Sequence, residues 1–307
     1  MRIEILGTES LGVRGLCCIV HTLHHHILID PGVALGYKRA GLLPHPIQVR
    51  AGERVRSNII KKLKIATDVV ISHLHGDHIP FANANSYQLS LEPVKELLKK
   101  PCLWIKGIDR ETAHIADRRR QLLMALNRDA GPCEGQDHGV LRFSKPMDHG
   151  LCHTPMGTVM MTRIEDEHDV FVHASDIQLL SDEPIDQILK WQPTILLVSG
   201  PPVYRQISND QIENARKRVK ILAGNIPVCI LDHHLLRSMS GVQLLDEMKK
   251  DTKGRVLCAA DFMGRQRLFL EADRSKLYDD FPVPSGWHES HKRQCPDWQK
   301  NKDSDEL

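Results

Sequence analysis

Four side chains of the kind that hold divalent cations fall within six residues: His73, His75, Asp77 and His78, in the run His73-Leu74-His75-Gly76-Asp77-His78. Neutral imidazole and carboxylate suit Zn²⁺, and also Mn²⁺ or Fe²⁺. An ion held in this way acidifies its water and polarises a carbonyl or phosphoryl oxygen, so the chemistry to expect is hydrolysis. Gly76 is expected to permit a tight backbone between the ligands. The competing reading is a histidine-rich surface turn, and the alternating spacing directly after a strand favours ligation. Histidine is also the compositional outlier of the chain, with 18 in 307 residues.

Such a cluster needs a scaffold. Asp68-Val69-Val70-Ile71 reads as a buried strand running straight into it, and a turn leaving a buried strand can aim several side chains at one point. Upstream, Cys17 to Val20 and His26 to Ile29 read as strands, with Asp30-Pro31-Gly32 as a turn. Residues 34–56 read as an irregular and potentially functional loop, and Ser57 to Leu63 as a short helix capped by Ser57. Downstream, helices at Asp109–Asn127, Ile185–Trp191, Asn209–Leu222 and Ser240–Lys250 alternate with strands at Thr158–Ile164, Val170–His173, Thr194–Ser199, Val228–Leu231 and Val256–Ala259. That alternation fits sheets packed together and covered by helices. No low-complexity linker interrupts residues 1–285, which are expected to form a single domain. From residue 286 to 307 the chain turns polar, and a frayed tail is expected.

Composition excludes little else. Hydrophobic residues at 41% and charged residues at 26% are ordinary for a globular protein, and a formal net charge of +2 offers no global basic field for nucleic acid. A chain of this length buries roughly 75% of its unfolded surface, so metal is not needed to hold the fold. The eight cysteines lack C-x-x-C spacing and the N-terminus lacks a signal-peptide pattern, which points to reduced thiols in a cytoplasmic protein. No apolar run approaches the ~20 residues needed to span a bilayer, so no membrane partner is expected. Ser304-Asp305-Glu306-Leu307 is close to an ER-retrieval signal and is read as coincidence.

The H-x-H-x-D-H run after a strand resembles the signature of the metallo-β-lactamase superfamily. Leu6-Gly7-Thr8 and Ile29-Asp30-Pro31-Gly32 are similar to that family's N-terminal half, and the resemblance covers roughly residues 1 to 270. Lys38-Arg39-Ala40-Gly41-Leu42-Leu43-Pro44-His45-Pro46, Val172-His173-Ala174-Ser175-Asp176 and Val198-Ser199-Gly200-Pro201-Pro202 look like a prokaryotic branch described as predicted metal-dependent RNases. The resemblance implies an α+β fold, the four-layer αββα sandwich of the metallo-β-lactamase type. It also implies three more ligands. A downstream histidine is His149 in Pro146-Met147-Asp148-His149-Gly150, with His153 as the alternative. An Asp after a strand is Asp176, although an Asp there is often only a helix cap. A last histidine is His233 or its neighbour His234, of which only one is expected to face the site because successive strand residues point to opposite faces.

Carried over in full, His73, His75 and His149 would hold one divalent ion, Asp77, His78 and His233 the other, and Asp176 would bridge them. The cofactors implied are two divalent metal ions, zinc first, with manganese or iron as alternatives. The implied activity is hydrolysis by a metal-bridged hydroxide attacking an ester. A phosphoester is favoured, with nucleic acid among the candidates, and Asp77 is also a candidate proton acceptor. Two alternatives stay open: a catalytically silent metal-containing binding or regulatory module, and a lactone or thioester hydrolase on the same site. The partner is a small-molecule or nucleic-acid substrate, and a homo-oligomer is compatible with the sequence. His45, in the Pro-rich loop, and Tyr204, after Gly200-Pro201-Pro202, are candidate substrate contacts. His24-His25-His26 looks metal-like but lacks a companion carboxylate in sequence. Arg118-Arg119-Arg120 and Arg216-Lys217-Arg218 read as solvated helix faces, with a phosphate-binding groove as the sharper alternative.

Overall fold

The structure, a computed structural model, describes residues 1–151 and 157–294. Its strands are β1 (Arg2–Gly7), β2 (Cys17–His21), β3 (His26–Ile29), β4 (Asp68–Ile71), β5 (Cys102–Ile105), β6 (Asp137–His138), β7 (Leu141–Phe143), β8 (Met147–Asp148), β9 (Thr158–Val159), β10 (Thr162–Asp166), β11 (Asp169–His173), β12 (Ile195–Val198), β13 (Val228–Leu231) and β14 (Val256–Leu257). Its helices are α1 (Pro46–Leu63), α2 (Lys95–Leu98), α3 (Ala113–Leu126), α4 (Glu183–Trp191), α5 (Asn209–Asn225), α6 (Met239–Asp251), α7 (Ala259–Phe262), α8 (Arg274–Asp280) and α9 (Trp287–Gln294).

Two mixed sheets form the centre, one of five strands in the order β1-β2-β3-β4-β5 and one of seven in the order β14-β13-β12-β11-β10-β7-β6. Strand alternation divides the first sheet's side chains between two cores. Cys18, Val20, Ile27, Ile29 and Val70 join Phe143, Phe171, Val172 and Leu197 of the second sheet in one cluster. Cys17, Ile19, Leu28, Val69 and Ile71 join Val55, Ile59 and Leu63 of α1 and Ile115, Leu122 and Leu126 of α3 in the other. Helices α4, α5 and α6 supply Ile188, Val219, Leu222 and Leu245 to the first cluster. The result is the expected four-layer αββα sandwich.

The parallel runs β3-β4-β5 and β11-β12-β13-β14 set the site. In open sheets, ligands gather beyond the carboxyl ends of parallel strands. Here β3 ends at Asp30, β4 runs into His73, β11 into Asp176 and β13 into His233.

Three expectations need correction. Residues 46–56 are not irregular, because α1 starts at Pro46 rather than Ser57. Proline suits a first helical position, and His45 caps the helix with a reciprocal box to Gln48. Of the polar segment expected to fray from residue 286, Trp287–Gln294 is helical, with Trp287 packed against the second core cluster, and residues 295–307 lie outside the described residues. Gly76 supplies space rather than an unusual turn: it is absent from the positive-φ glycines, and an added Cβ would lie 2.9 Å from Gln88 Nε2 and 3.0 Å from Phe81 Cε2. Among the described residues Cys17, Cys18, Cys133, Cys229 and Cys258 are free and buried, and Cys102 is free and exposed. No helix among them is long and apolar enough to cross a membrane.

Candidate metal centre

Strand β4 is wholly buried, which fixes the backbone from which the histidine loop departs. Three further segments deliver side chains to the same place: the residue after β8, the turn after β11 and a 3₁₀ turn, His233–Arg237, after β13. Gly32 lets the turn after β3 approach this loop closely, since an added Cβ would lie 2.7 Å from His78 Cα.

The cluster contains His73, His75, Asp77, His78, His149, Asp176, His233 and His234, and it divides around Asp176. In one set, ligand atoms of His73, His75, His149 and Asp176 all lie within 4.8 Å of one another. Within it, His73 Nε2 is 3.1 Å from His75 Nδ1 and 3.4 Å from Asp176 Oδ2. In the other set, Asp176 Oδ1 is 3.2 Å from His78 Nε2 and 3.3 Å from His233 Nε2. Those two nitrogens are 3.3 Å apart, and Asp77 lies 3.5 Å from His233 Nε2 and 3.9 Å from His78 Nε2. Donors bound at ~2.0–2.1 Å around a tetrahedral ion stand ~3.3 Å from one another, which these separations match. Both ring nitrogens of His149 and Asp176 Oδ1 are buried without hydrogen-bond partners. Buried polar atoms left without partners are costly, and a cation would satisfy Asp176 Oδ1 and the His149 nitrogen that carries the lone pair. The residues therefore fit divalent ions.

Several residues that the sequence reading did not single out orient the donors. Asp30 accepts hydrogen bonds from Ser72 N (2.8 Å), Ser72 Oγ (2.6 Å), Ser175 Oγ (3.2 Å) and His78 Nδ1 (2.9 Å). Glu9 accepts from His233 Nδ1 (2.7 Å) and Arg237 Nε (2.8 Å). In both histidines Nδ1–H donates to a carboxylate, so Nε2 turns its lone pair to the centre. Arg237 Nη2 reaches Asp77 Oδ2 at 3.0 Å and lies 2.8 and 3.3 Å from the two ring nitrogens of His233. The nearer of the two is Nε2, the nitrogen that faces the centre. Asp30, Ser175 and His233 all adopt left-handed backbone, with φ of 48°, 48° and 50°. That conformation is unfavourable away from glycine and is held here by these hydrogen bonds. Of these braces, Asp30 stands in the turn after β3 and Ser175 in the segment before Asp176, whereas Glu9 and Ser72 carry no sequence clue.

Electrostatics distinguishes the histidines. Burial pushes His73 down to about 4, and His75 and His149 to about 3, each with neighbouring imidazoles adding to it. These three are neutral, as ligands must be. Burial also opposes charge on His78, but Asp176 and Asp77 outweigh it and raise that imidazole well above its ordinary value. For His233 burial is outweighed by Glu9, giving about 9. Asp77 and Asp176, despite burial, are held well below the carboxylate range, chiefly by His78 and His233. Without an ion, two protons on histidine balance the carboxylates, so this pocket calls for positive charge.

His234 does not turn away from the site. Residues 233 and 234 belong to the 3₁₀ turn rather than to a strand, so the alternation rule does not apply to them. His234 Nε2 lies 3.1 Å from Asp176 Oδ2 and its Nδ1 is 3.0 Å from the Tyr204 hydroxyl. A carboxylate only accepts, so Nε2 carries the proton and Nδ1 accepts from Tyr204. His45 is not at the centre. Its Nδ1 accepts from Ile47 N and its Nε2 donates to Phe281 O at 2.8 Å, so both ring nitrogens tie α1 to the end of α8. His153 lies outside the described residues.

The remaining candidates are structural. His25 pairs with Asp68 at 2.8 Å in the β2–β3 turn. His173 is buried and donates to Leu16 O at 2.9 Å. Of the arginine triplet in α3, Arg118 is buried against Phe81 and reaches Leu74 O, and Arg119 donates to Lys106 O and Ala130 O. Only Arg120, paired with Asp117, is on a solvated face. In α5, Arg216 pairs with Glu247, Arg218 with Asp182 and Lys220 with Asp251. A surface hollow of about 820 Å³ runs along α3, lined in part by Ile108, Leu123 and Met124. It shares no residue with the cluster, and the convergence of buried donors locates the chemistry at the cluster instead.

No family model matches the chain. Among solved structures it is similar to a metal-dependent hydrolase of the beta-lactamase superfamily, Tm1679, at 15% identity and a TM-score of 0.49, covering 84% of this chain and 95% of that one. It is also similar to an isothiocyanate hydrolase from Delia radicum gut bacteria, at 13% identity and a TM-score of 0.48, covering 80% and 94%. The sequence relatives are nearer. A UPF0282 protein of Pyrococcus abyssi is 33% identical over 93% of this chain and 97% of its own length. A UPF0282 protein of Methanopyrus kandleri is 36% identical over 90% and 99%. One from Methanosarcina mazei is 45% identical over 95% and 97%, a match that spans the whole cluster, and the chain belongs to the UPF0282 family.

Proposed function

We propose that this protein is a hydrolase using two divalent ions, with zinc the best match to the donors, and that its substrate is a phosphoester. The observation that carries the reading is the position of Asp176, whose two oxygens face different donor sets. His73, His75 and His149 would hold one ion, and Asp77, His78 and His233 the other. When bound, such a pair supplies an acidified water and Lewis-acid stabilisation of charge on the attacked oxygen.

The chain's own residues do the rest. Asp30 and Glu9 hold His78 and His233 in the tautomer that presents Nε2. His234 donates to Asp176 Oδ2, the oxygen that His78 and His233 do not face, and Tyr204 in turn fixes His234. Arg237 keeps Asp77 ionised, and this partly buried carboxylate is the candidate proton acceptor of the pair. A carboxylate rather than a thiolate at position 176 makes both sites hard, which suits oxyanion-bearing substrates.

The test is turnover by zinc- or manganese-loaded protein of bis-p-nitrophenyl phosphate, p-nitrophenyl phosphate, single-stranded RNA, a thioester and a lactone. Phosphoester cleavage that a chelator abolishes and metal restores is the expected result. Turnover of the thioester or lactone alone would overturn the substrate class, and no turnover of any would overturn the hydrolase reading.

A further inference from the structure

We propose that Arg39 and Arg205, both over the ring of Tyr204, form a subsite for an anionic oxygen group of the substrate other than the bond that is cleaved. The proposal rests on the hydrolase reading of the adjoining cluster and adds to it that the substrate carries a second negative charge beside the scissile group.

Tyr204 sits in a short 3₁₀ turn, Val203–Arg205, that follows β12 and the rigid Gly200-Pro201-Pro202. Its hydroxyl is one hydrogen bond from His234, which is one more from Asp176, so the ring stands at the edge of the metal centre. Three guanidinium carbons surround that ring, Arg39 at 5.4 Å, Arg237 at 5.6 Å and Arg205 at 5.8 Å from its centroid. The first two differ in what else they do. Arg237 is buried and committed to Glu9 and Asp77. Arg39 is only half-buried, gives one N–H to Arg237 O at 2.7 Å, and has no carboxylate in ion-pair reach among the described residues. Arg205 is exposed.

The surroundings add positive charge. Arg14 and Arg274 lie in the same region, with Glu271 pairing Arg14 at 2.7 Å. Burial pushes Arg274 down to about 10, with Arg14 and Arg39 adding to the effect against Glu271. A half-buried guanidinium stacked on an aromatic face, with fork N–H groups left over and a positive field behind it, is built for bidentate capture of phosphate or carboxylate. The same arrangement would be an electrostatic liability if nothing negative came to it.

The test uses the full-length protein and an Arg39→Gln/Arg205→Gln double variant, with an Arg39→Lys variant alongside. Inorganic pyrophosphate and succinate are titrated calorimetrically into chelator-treated protein, and bound zinc is counted separately after reloading. The expected result is that pyrophosphate binds the wild type at least about tenfold more tightly than the double variant, with Arg39→Lys in between and zinc content unchanged. Stronger binding of pyrophosphate than of succinate assigns the group as phosphate, and the reverse assigns it as carboxylate. Equal affinity of wild type and double variant for both anions overturns the subsite. If the variant weakens anion binding but the wild type takes up no zinc, the subsite stands and the hydrolase reading falls.

Discussion

The two donor sets that share Asp176 are built differently. The His73, His75 and His149 side is neutral: burial keeps its imidazoles uncharged, and His149 has no partner on either ring nitrogen. The Asp77, His78 and His233 side is held in a frame of charge, with Asp30 behind His78, Glu9 behind His233 and Arg237 between Glu9 and Asp77. One side waits for an ion with bare lone pairs, while the other is already arranged by ion pairs. The difference teaches that removing a ligand and removing a brace should have separable effects on the two ions.

The largest effect is expected from Asp176→Asn, which touches both sets. Metal analysis of the purified variant should find bound metal falling from two ions per chain towards none, and hydrolysis should disappear with it. Next, Glu9→Gln strips the frame from one side only. It leaves Arg237 buried beside a neutral amide, so chemical denaturation should show a loss of about 3–5 kcal/mol. Metal content should fall to about one ion per chain, and retention of both would erase the proposed asymmetry. His149→Ala probes the other side, and a drop of at least about tenfold in affinity for one ion, with the other unchanged, is expected from equilibrium dialysis.

The pair Arg14–Glu271 offers a control in the same region that binds no metal. Although burial opposes ionisation, Arg14 holds the Glu271 carboxylate down at about 2. A carboxylate depressed in the folded state contributes stability above its unfolded value, ~4.3, and loses it as pH falls towards the folded one. Glu271→Gln should therefore cost about 3 kcal/mol at pH 7 in urea unfolding, with the gap to wild type narrowing between pH 4 and 2. A gap that does not change with pH would mean that the pair is not what stabilises this wall. The smallest effect is expected from His45→Ala, ~1 kcal/mol for a lost cap with metal content unaltered.

How much of this was legible in the sequence follows the same divide. His73, His75, Asp77 and His78 are contiguous, so their spacing alone exposed them, and β4 was readable because four apolar-flanked residues run into them. The sandwich followed from strands alternating with helices. The bracing roles of Glu9, Arg237 and Ser175 were not legible, since braces are ordinary polar residues whose partners lie more than a hundred residues away. His45 misled for a local reason: a proline-rich stretch suggested a loop, where Pro46 in fact begins a helix that His45 caps. His234 misled because strand alternation was carried past the end of β13 into a 3₁₀ turn.

The most direct measurement is an anomalous-scattering map from crystals soaked in zinc or manganese, recorded at the absorption edge of that metal. Two peaks ~3.5–4 Å apart are predicted, one against His73, His75 and His149, the other against Asp77, His78 and His233, with Asp176 touching both. A single peak, or two peaks that do not share Asp176, would contradict the account.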